Sequence, residues 1–138
     1  MKRPLLLLLP LLFLFACDKN KLGEELTIAF GETIEIPVEN LKVTFTAVND
    51  SRCPRDTQCP TAGTGSVTLA IAQGGNRNTA ELTCQGLCYD ETGPCCTEAA
   101  AMGYLFKLIY LYPYPEEGVQ VADEDYNLKL NVSLFQPN

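Results

Sequence analysis

The residues of this 138-residue chain that could do chemistry by type and spacing are its seven cysteines. One lies near the amino terminus at Cys17, and the other six are Cys53, Cys59, Cys84, Cys88, Cys95 and Cys96. Cysteine thiolates bind Zn²⁺ or Cu(I), act as redox groups, or are oxidised to disulfides. Six cysteines in one exported domain indicate a disulfide framework.

The local spacing favours disulfides over a metal centre. The chain has no C-x-x-C pair and no histidine, and neighbouring side chains such as Cys95 and Cys96 point opposite ways in an extended chain. A Cys53–Cys59 bond would close a small ring, whereas Cys95 and Cys96 would pair separately with the two cysteines at 84 and 88. We therefore expect three disulfides, no metal and no other cofactor. The first alternative is a cysteine-based metal-binding or redox protein.

No other constellation in the sequence indicates catalysis. Without histidine, Ser-His-Asp and Cys-His mechanisms are excluded, and no glycine-rich phosphate loop joins a strand to a helix. Clustered carboxylates occur, but their spacing does not predict two carboxyls facing one cleft or a complete Ca²⁺ loop. We expect no catalytic residues and keep a carboxylate-dependent enzyme as the second alternative. The clusters are Asp90-Glu91, Glu116-Glu117 and Asp123-Glu124-Asp125.

The amino terminus has the pattern of an export signal. Lys2 and Arg3 precede an apolar run over 5–15, which ends in the sequence LFAC at Cys17. The run is too short to span a bilayer, which needs about 20 residues. The end of this segment resembles the lipobox of bacterial lipoproteins. That resemblance implies cleavage before Cys17, a diacylglyceryl group on its thiol and a fatty acyl group such as palmitate on its amino group, which together give stable anchoring.

The sequence therefore divides into a signal peptide at 1–16, the lipidated cysteine with a tether at 17–25, and one β domain at 26–138. The signal contains two of the ten basic residues and none of the 17 acidic ones, so the mature chain has a net charge of −9. An acidic chain disfavours nucleic acid and anionic surfaces. We expect contact with the lipid bilayer through the Cys17 acyl chains, a location in the bacterial cell envelope facing the periplasm or the cell surface, and an envelope protein or glycan as partner.

The mature chain is rich in strand patterns, which predict an all-β fold. Apolar and polar residues alternate over 41–48, 66–72 and 128–135, as in half-buried strands. Further strands are predicted at 26–30, 33–38, 79–83 and 104–112, and 73–78 predicts a hairpin turn. We expect a small antiparallel sandwich or barrel of about six or seven strands, with the first strand paired to the last. Thr97 followed by EAAAM predicts one short helical turn near 97–102.

Four tyrosines share one parity with Phe106 and Leu108. They line either the core or an exposed aromatic platform, and we favour the core because both faces of this strand are apolar. The four are Tyr104, Tyr110, Tyr112 and Tyr114.

A motif over 50–63 carries a second resemblance. The order D-S-R-C-P, Cys59 and Ala62-Gly63, followed later by Pro-Tyr-Pro and Asp-Tyr, resembles a set of small exported bacterial lipoproteins without an established activity. The resemblance implies fold and location only. This chain departs from the set at Pro60-Thr61, where a tryptophan is common, and in the segment 84–96, which looks like an addition. Asp50, Ser51, Arg52 and Pro54 are therefore either a presented binding loop or a loop packed over the sheet end.

Overall fold

Eight strands in two antiparallel sheets make up the computed structural model, which describes residues 20–88 and 95–137. One sheet has the order β1-β8-β7-β6 and the other has the order β2-β3-β4-β5. The expected all-β antiparallel fold is confirmed, in the form of a sandwich. The strands are β1 (Glu25–Ala29), β2 (Thr33–Ile36), β3 (Leu41–Asp50), β4 (Thr64–Gln73), β5 (Asn76–Gln85), β6 (Glu98–Ala101), β7 (Tyr104–Tyr112) and β8 (Asn127–Leu134).

The alternating residues form the core between the two sheets. In β3 the side chains of Leu41, Val43 and Phe45 are fully buried, and their partners in β4 continue the same layer. The last strand faces them with Leu128 and Leu130, and β1 pairs with this strand as expected. Burying each such side chain contributes roughly 1.5–3 kcal/mol, so the period-two pattern specifies which face of each strand points inward.

The predicted helical turn at 97–102 is wrong, because this segment forms strand β6. Alanine and glutamate favour helix locally, but Ala99 pairs with Phe106 and Ala101 with Tyr104 at the edge of the sheet. The turn between β6 and β7 consists of Met102 and Gly103, both at positive φ, which is the two-residue geometry that suits a hairpin. Tertiary pairing has therefore overridden a weak local preference.

A β-bulge in β7 changes which tyrosines face the core. The register shifts between Leu108 and Tyr110, so that Leu111 lies opposite core residue Leu128. Tyr110 and Tyr112 therefore leave the face that Phe106 shares with Leu108, and the expected single row of tyrosines does not form. Tyr110 is nevertheless buried. Its ring packs edge-to-face on the ring of Tyr112, with the two ring centroids 4.6 Å apart.

The two ends of the sandwich differ. The N-terminal pole comprises residues 20–24, 37–40, 74–75, 102–103 and 135–137, whereas the loop pole comprises the described residues 51–63, 86–88, 95–97 and 113–126. At the N-terminal pole the Tyr104 hydroxyl donates to Glu39 at 2.8 Å and accepts from Gln73 at 2.8 Å, which joins the sheets.

Among the described residues, no helix has the length and apolar character needed to cross a membrane. The predicted signal peptide, Cys17 and the first two tether residues after it lie outside the described residues, as do Asp90 and Glu91.

Candidate functional site

Six cysteines form three disulfides, all at the loop pole. Cys53 bonds to Cys59, as expected. Of the two combinations left open for the remaining cysteines, the structure has Cys84–Cys96 and Cys88–Cys95. The expectation of disulfide bonds is confirmed.

The Cys84–Cys96 bond holds the two sheets together at their edges. Cys84 lies near the end of β5 and is buried, and Cys96 faces it in an antiparallel bridge just before β6. Backbone hydrogen bonds continue this pairing on both sides. The amide of Gln85 donates to the carbonyl of Cys95 at 2.9 Å, and the amide of Thr97 donates to the carbonyl of Thr83 at 2.8 Å. The segment 95–97 thus covers the edge of β5 near its C-terminal end, where backbone groups would otherwise be unpaired.

A buried ion pair lies at the centre of the loop pole. Arg52 donates through Nε to Asp50 Oδ1 at 2.8 Å and through Nη2 to Oδ2 at 2.7 Å, a bidentate geometry. Both side chains are almost completely buried, with 1% and 3% of their area exposed. The backbone amide of Arg52 also donates to Asp50 Oδ1 at 3.1 Å. Each charge is therefore neutralised within the protein, which buried charges require.

Arg52 also links the end of β3 to the opposite sheet. Its Nη1 donates to the carbonyl of Leu111 at 3.1 Å and its Nη2 to that of Pro113 at 2.9 Å. The guanidinium carbon lies 4.7 Å from the ring centroid of Tyr114, within the range of a cation–π contact. Tyr126 completes the group, since its hydroxyl donates to Asp50 Oδ2 at 3.2 Å.

Ala62 and Gly63 run against the D-S-R-C-P segment. The amide of Cys53 donates to the carbonyl of Ala62 at 2.8 Å, and the amide of Ser51 donates to the carbonyl of Thr64 at 2.8 Å. Gly63 has a φ of 68°, and a Cβ there would overlap the Ser51 carbonyl oxygen. Only glycine fits this position, because both the backbone angle and the close approach exclude a side chain.

The sequence-predicted loop residues divide into buried and accessible ones. Asp50 and Arg52 are buried in their mutual pair, whereas Ser51 is exposed and Pro54 half-buried. The sequence reasoning missed Tyr114 and Tyr126 as parts of this cluster. A signal for both was present, because they are the tyrosines of the Pro-Tyr-Pro and Asp-Tyr motifs.

A groove of about 610 Å³ lies beside the Cys53–Cys59 disulfide. The groove is lined by Pro60, Thr61 and the exposed Cys59. Leu87 lines it as well, and 53% of the Leu87 surface is exposed. Leu87 is held firmly, because its amide donates to the Tyr114 hydroxyl at 2.8 Å and that hydroxyl donates to the Cys53 carbonyl at 2.9 Å. The groove is therefore a rigid surface of mixed polarity.

A second groove, of about 660 Å³, lies on the outer face of the β2–β5 sheet. Its floor consists of short side chains such as Thr44, Ala70 and Ala72, with Lys42 and Arg77 at its sides. Lys42 pairs with Glu35 at 2.7 Å on the open surface. The floor is the outer face of the sheet, formed by the residues that alternate with the core residues of β3 and β4.

The described carboxylates outside the buried pair are exposed, except that of Glu39, which is half-buried and accepts from Tyr104. Glu116, Glu117 and the run 123–125 are exposed on the loop pole. In the described parts of the chain, no group of three or more Cys, Asp or Glu side chains is arranged to hold a metal ion.

The buried cluster predicts a pH dependence of stability. Burial and the adjacent Asp50 carboxylate raise the pKa of Tyr126 from 10.0 to about 12. Between these two values the unfolded chain binds fewer protons than the folded one, so stability falls as the pH rises through this window and is unaffected by this group below it. We expect Tyr126→Phe to make the fall shallower, measured as the free energy of unfolding in urea from pH 9 to pH 12. A slope unchanged by the substitution would contradict this assignment.

The site and the fold together define a class: an antiparallel β-sandwich whose loop pole is held by three disulfides and a buried Asp–Arg pair. Comparison of the chain with protein-family models, with curated proteins and with solved structures gives no match.

Proposed function

We propose that the protein is a lipoprotein of the bacterial cell envelope, anchored to a membrane through acyl chains on Cys17. On this proposal it is a non-catalytic binding module that presents its loop pole to an envelope protein or a glycan. The observation that carries the proposal is the sequence LFAC at Cys17 after a basic and then apolar segment. Three disulfides support it, because disulfides persist in oxidising compartments outside the cytoplasm.

The groove beside the Cys53–Cys59 disulfide is the proposed binding surface. It combines rigidity with an exposed apolar side chain, Leu87, and with the hydroxyl of Thr61 and the amide of Gln58. Binding sites commonly combine apolar contact with a few polar groups on a rigid scaffold. The buried pair of Asp50 and Arg52 serves this surface by holding the loop in place rather than by contacting a ligand.

The two alternatives have less support. A thiolate metal site needs free thiolates, whereas the six domain cysteines are paired with one another. A redox protein would need one of these disulfides to be reduced in turn, and two of the six cysteines, Cys53 and Cys84, are buried. A carboxylate-dependent enzyme needs two carboxyls converging in a cleft, and Asp50, the buried carboxylate of the site, is occupied by Arg52.

The anchoring part of the proposal is tested by acylation in a bacterial host. Cells producing the full chain are fed an alkyne fatty acid, and the purified protein is assayed for the label and for its distribution between membrane and soluble fractions. We expect a labelled membrane protein, and we expect Cys17→Ser to lose both the label and the membrane association. Lys19→Ala is the matched control, because it changes a neighbouring residue and leaves Cys17 in place. Label retained by Cys17→Ser, or absent from the unaltered chain, would contradict the proposal.

A further inference from the structure

Three large apolar side chains are exposed at the N-terminal pole or at the end of β8 that borders it. The exposed fractions are 86% for Val38, 57% for Leu134 and 45% for Phe135. They occupy neighbouring parts of the pole, since Glu39 bonds to Tyr104, and Tyr104 pairs with Leu134 in the sheet. Scattered single apolar residues are normal on a surface, but a group of three at one end calls for an explanation.

Val38 is exposed in a turn that is held on both sides. It is the middle residue of a one-turn 3-10 helix, Pro37–Glu39, which the amide of Asn40 closes by donating to Pro37 at 3.1 Å. The Gln73 amide donates to the Glu39 carbonyl at 2.8 Å. The backbone around Val38 is therefore anchored, and its side chain nevertheless points away from the protein.

The chain enters the domain at this same pole. The side-chain amide of Asn20 donates to the Glu35 carbonyl at 3.0 Å, and the amide of Gly23 donates to Val132 at 2.8 Å. The acceptor Glu35 lies in β2, three residues before Val38, and the acceptor Val132 lies in β8, two residues before Leu134. The direction of the amino-terminal segment is thus tied to the N-terminal pole.

The distance from Cys17 to this pole is short. Cys17 lies three positions before Asn20 in the chain. An extended chain advances at most about 3.6 Å per position, so the Cα atoms of the two residues lie within roughly 11 Å of each other. An acyl chain on Cys17 would therefore hold the N-terminal pole against the lipid headgroups. The strands of ten residues, β3 and β4, would place the loop pole about 30 Å farther out.

Of the residues that the structure describes, the other exposed large apolar ones, Leu87 and Val119, lie at the loop pole. There they are accompanied by exposed acidic side chains, which anionic headgroups repel. The acidic side chains are Asp56, Glu116, Glu117, Asp123, Glu124 and Asp125. The N-terminal pole has two described acidic side chains, Glu24, which is exposed, and Glu39, which is half-buried and accepts from Tyr104, and one exposed basic side chain, Lys21. The pole where the chain enters is therefore less acidic than the loop pole.

We infer that Val38, Leu134 and Phe135 form a membrane-contact patch, which inserts into the headgroup region of the bilayer that holds the Cys17 acyl chains. This inference rests on the proposed function, because the acyl anchor is what brings the patch to the lipid. Transfer of apolar side chains from water into the headgroup region lowers the free energy. The contact orients the domain, so that the loop pole points away from the membrane.

The chain contains no tryptophan, so a single introduced indole reports the depth of one position. The acyl anchor alone keeps the protein on vesicles, which means that depth rather than binding must be measured. The acylated full chain carrying Phe135→Trp is reconstituted into phosphatidylethanolamine–phosphatidylglycerol vesicles, with and without lipids brominated on their acyl chains. Val119→Trp at the loop pole is the matched control, and Val38→Trp serves as a second probe if Phe135→Trp does not fold.

We expect the indole at 135 to emit at shorter wavelength than that at 119 and to be quenched several-fold more by brominated lipid. The indole at 119 should instead be quenched more by aqueous acrylamide. Vesicle-bound protein in which both indoles are equally open to acrylamide would overturn the inference and leave the lipoprotein proposal intact. A blue-shifted indole at 135 without bromine quenching would also overturn it, in favour of a second copy of the chain on the patch. Absence of acylation in the same preparation would instead refute the proposed function.

Discussion

Replacing Arg52 by methionine should lower the free energy of unfolding by about 3–5 kcal/mol, because the change leaves the Asp50 carboxylate buried without a counter-charge. The guanidinium makes two hydrogen bonds to Asp50, one to the Leu111 carbonyl in β7 and one to the Pro113 carbonyl just after β7. Methionine is of similar length but replaces none of these bonds. The loss is measured by urea unfolding of exported protein carrying Cys17→Ser.

Two further variants separate the buried charge from general effects of substitution. Arg55→Met removes an arginine that is largely exposed and lies 5.5 Å from the Tyr114 ring, and should cost less than about 1 kcal/mol. Asp50→Asn combined with Arg52→Met removes both charges, and should be less destabilising than the sum of the single changes. Equal losses for Arg52→Met and Arg55→Met would refute the account of the buried pair.

Removing the Cys84–Cys96 disulfide, by changing both residues to alanine, should lower the free energy of unfolding by about 2–5 kcal/mol. The bond joins β5 to the segment before β6, so its loss releases the link between the sheet edges. Cys84 is also part of the core, so packing is lost as well. Urea unfolding gives the magnitude, and amide hydrogen exchange in β5 and β6 shows whether the edges open first.

The matched control is the removal of Cys53–Cys59 by the same two substitutions. That bond closes a loop of half the sequence separation, and one of its two cysteines is exposed. The shorter loop alone makes its chain-entropy contribution smaller by roughly 0.6 kcal/mol, and there is less packing to lose. Cys53 is as buried as Cys84, so the expected difference comes from the loop length and from the exposed Cys59. A control variant as unstable as the Cys84/Cys96 variant would contradict this expected difference.

Much of the fold was predictable because buried and exposed side chains alternate along most strands with a period of two. Leu41, Val43 and Phe45 alternate with polar residues, and this pattern alone assigns their faces. The strand β6 was missed because its sequence, EAAA, has no such alternation. The bulge after Leu108 was also not predicted, because one extra residue in a uniformly apolar strand leaves no mark in the pattern.

The candidate site was predictable only in part. The motif around Cys53 indicated a tied loop, but arginine is seldom buried, so the interior position of Arg52 could not be read from the sequence. Its carbonyl partners, Leu111 and Pro113, lie 59 and 61 residues away. Pairings over such separations depend on how the two sheets stack, which single-sequence patterns do not specify.

On the proposed function, the two poles of the sandwich have different roles. The buried pair and the disulfides tie the loop pole together, while residues 20–24 lie at the opposite pole. A rigid surface held at a distance from an anchor suits recognition of a partner.

The most direct test of the account is the intact mass of the full-length gene product purified from bacterial membranes, measured before and after thiol alkylation in denaturant. The account predicts a chain that begins at Cys17, carries a diacylglyceryl group and a fatty acyl group, lacks six hydrogens relative to the reduced form, and takes up no alkylating reagent. A chain with an unmodified Cys17, or with thiols that alkylate without prior reduction, would contradict it.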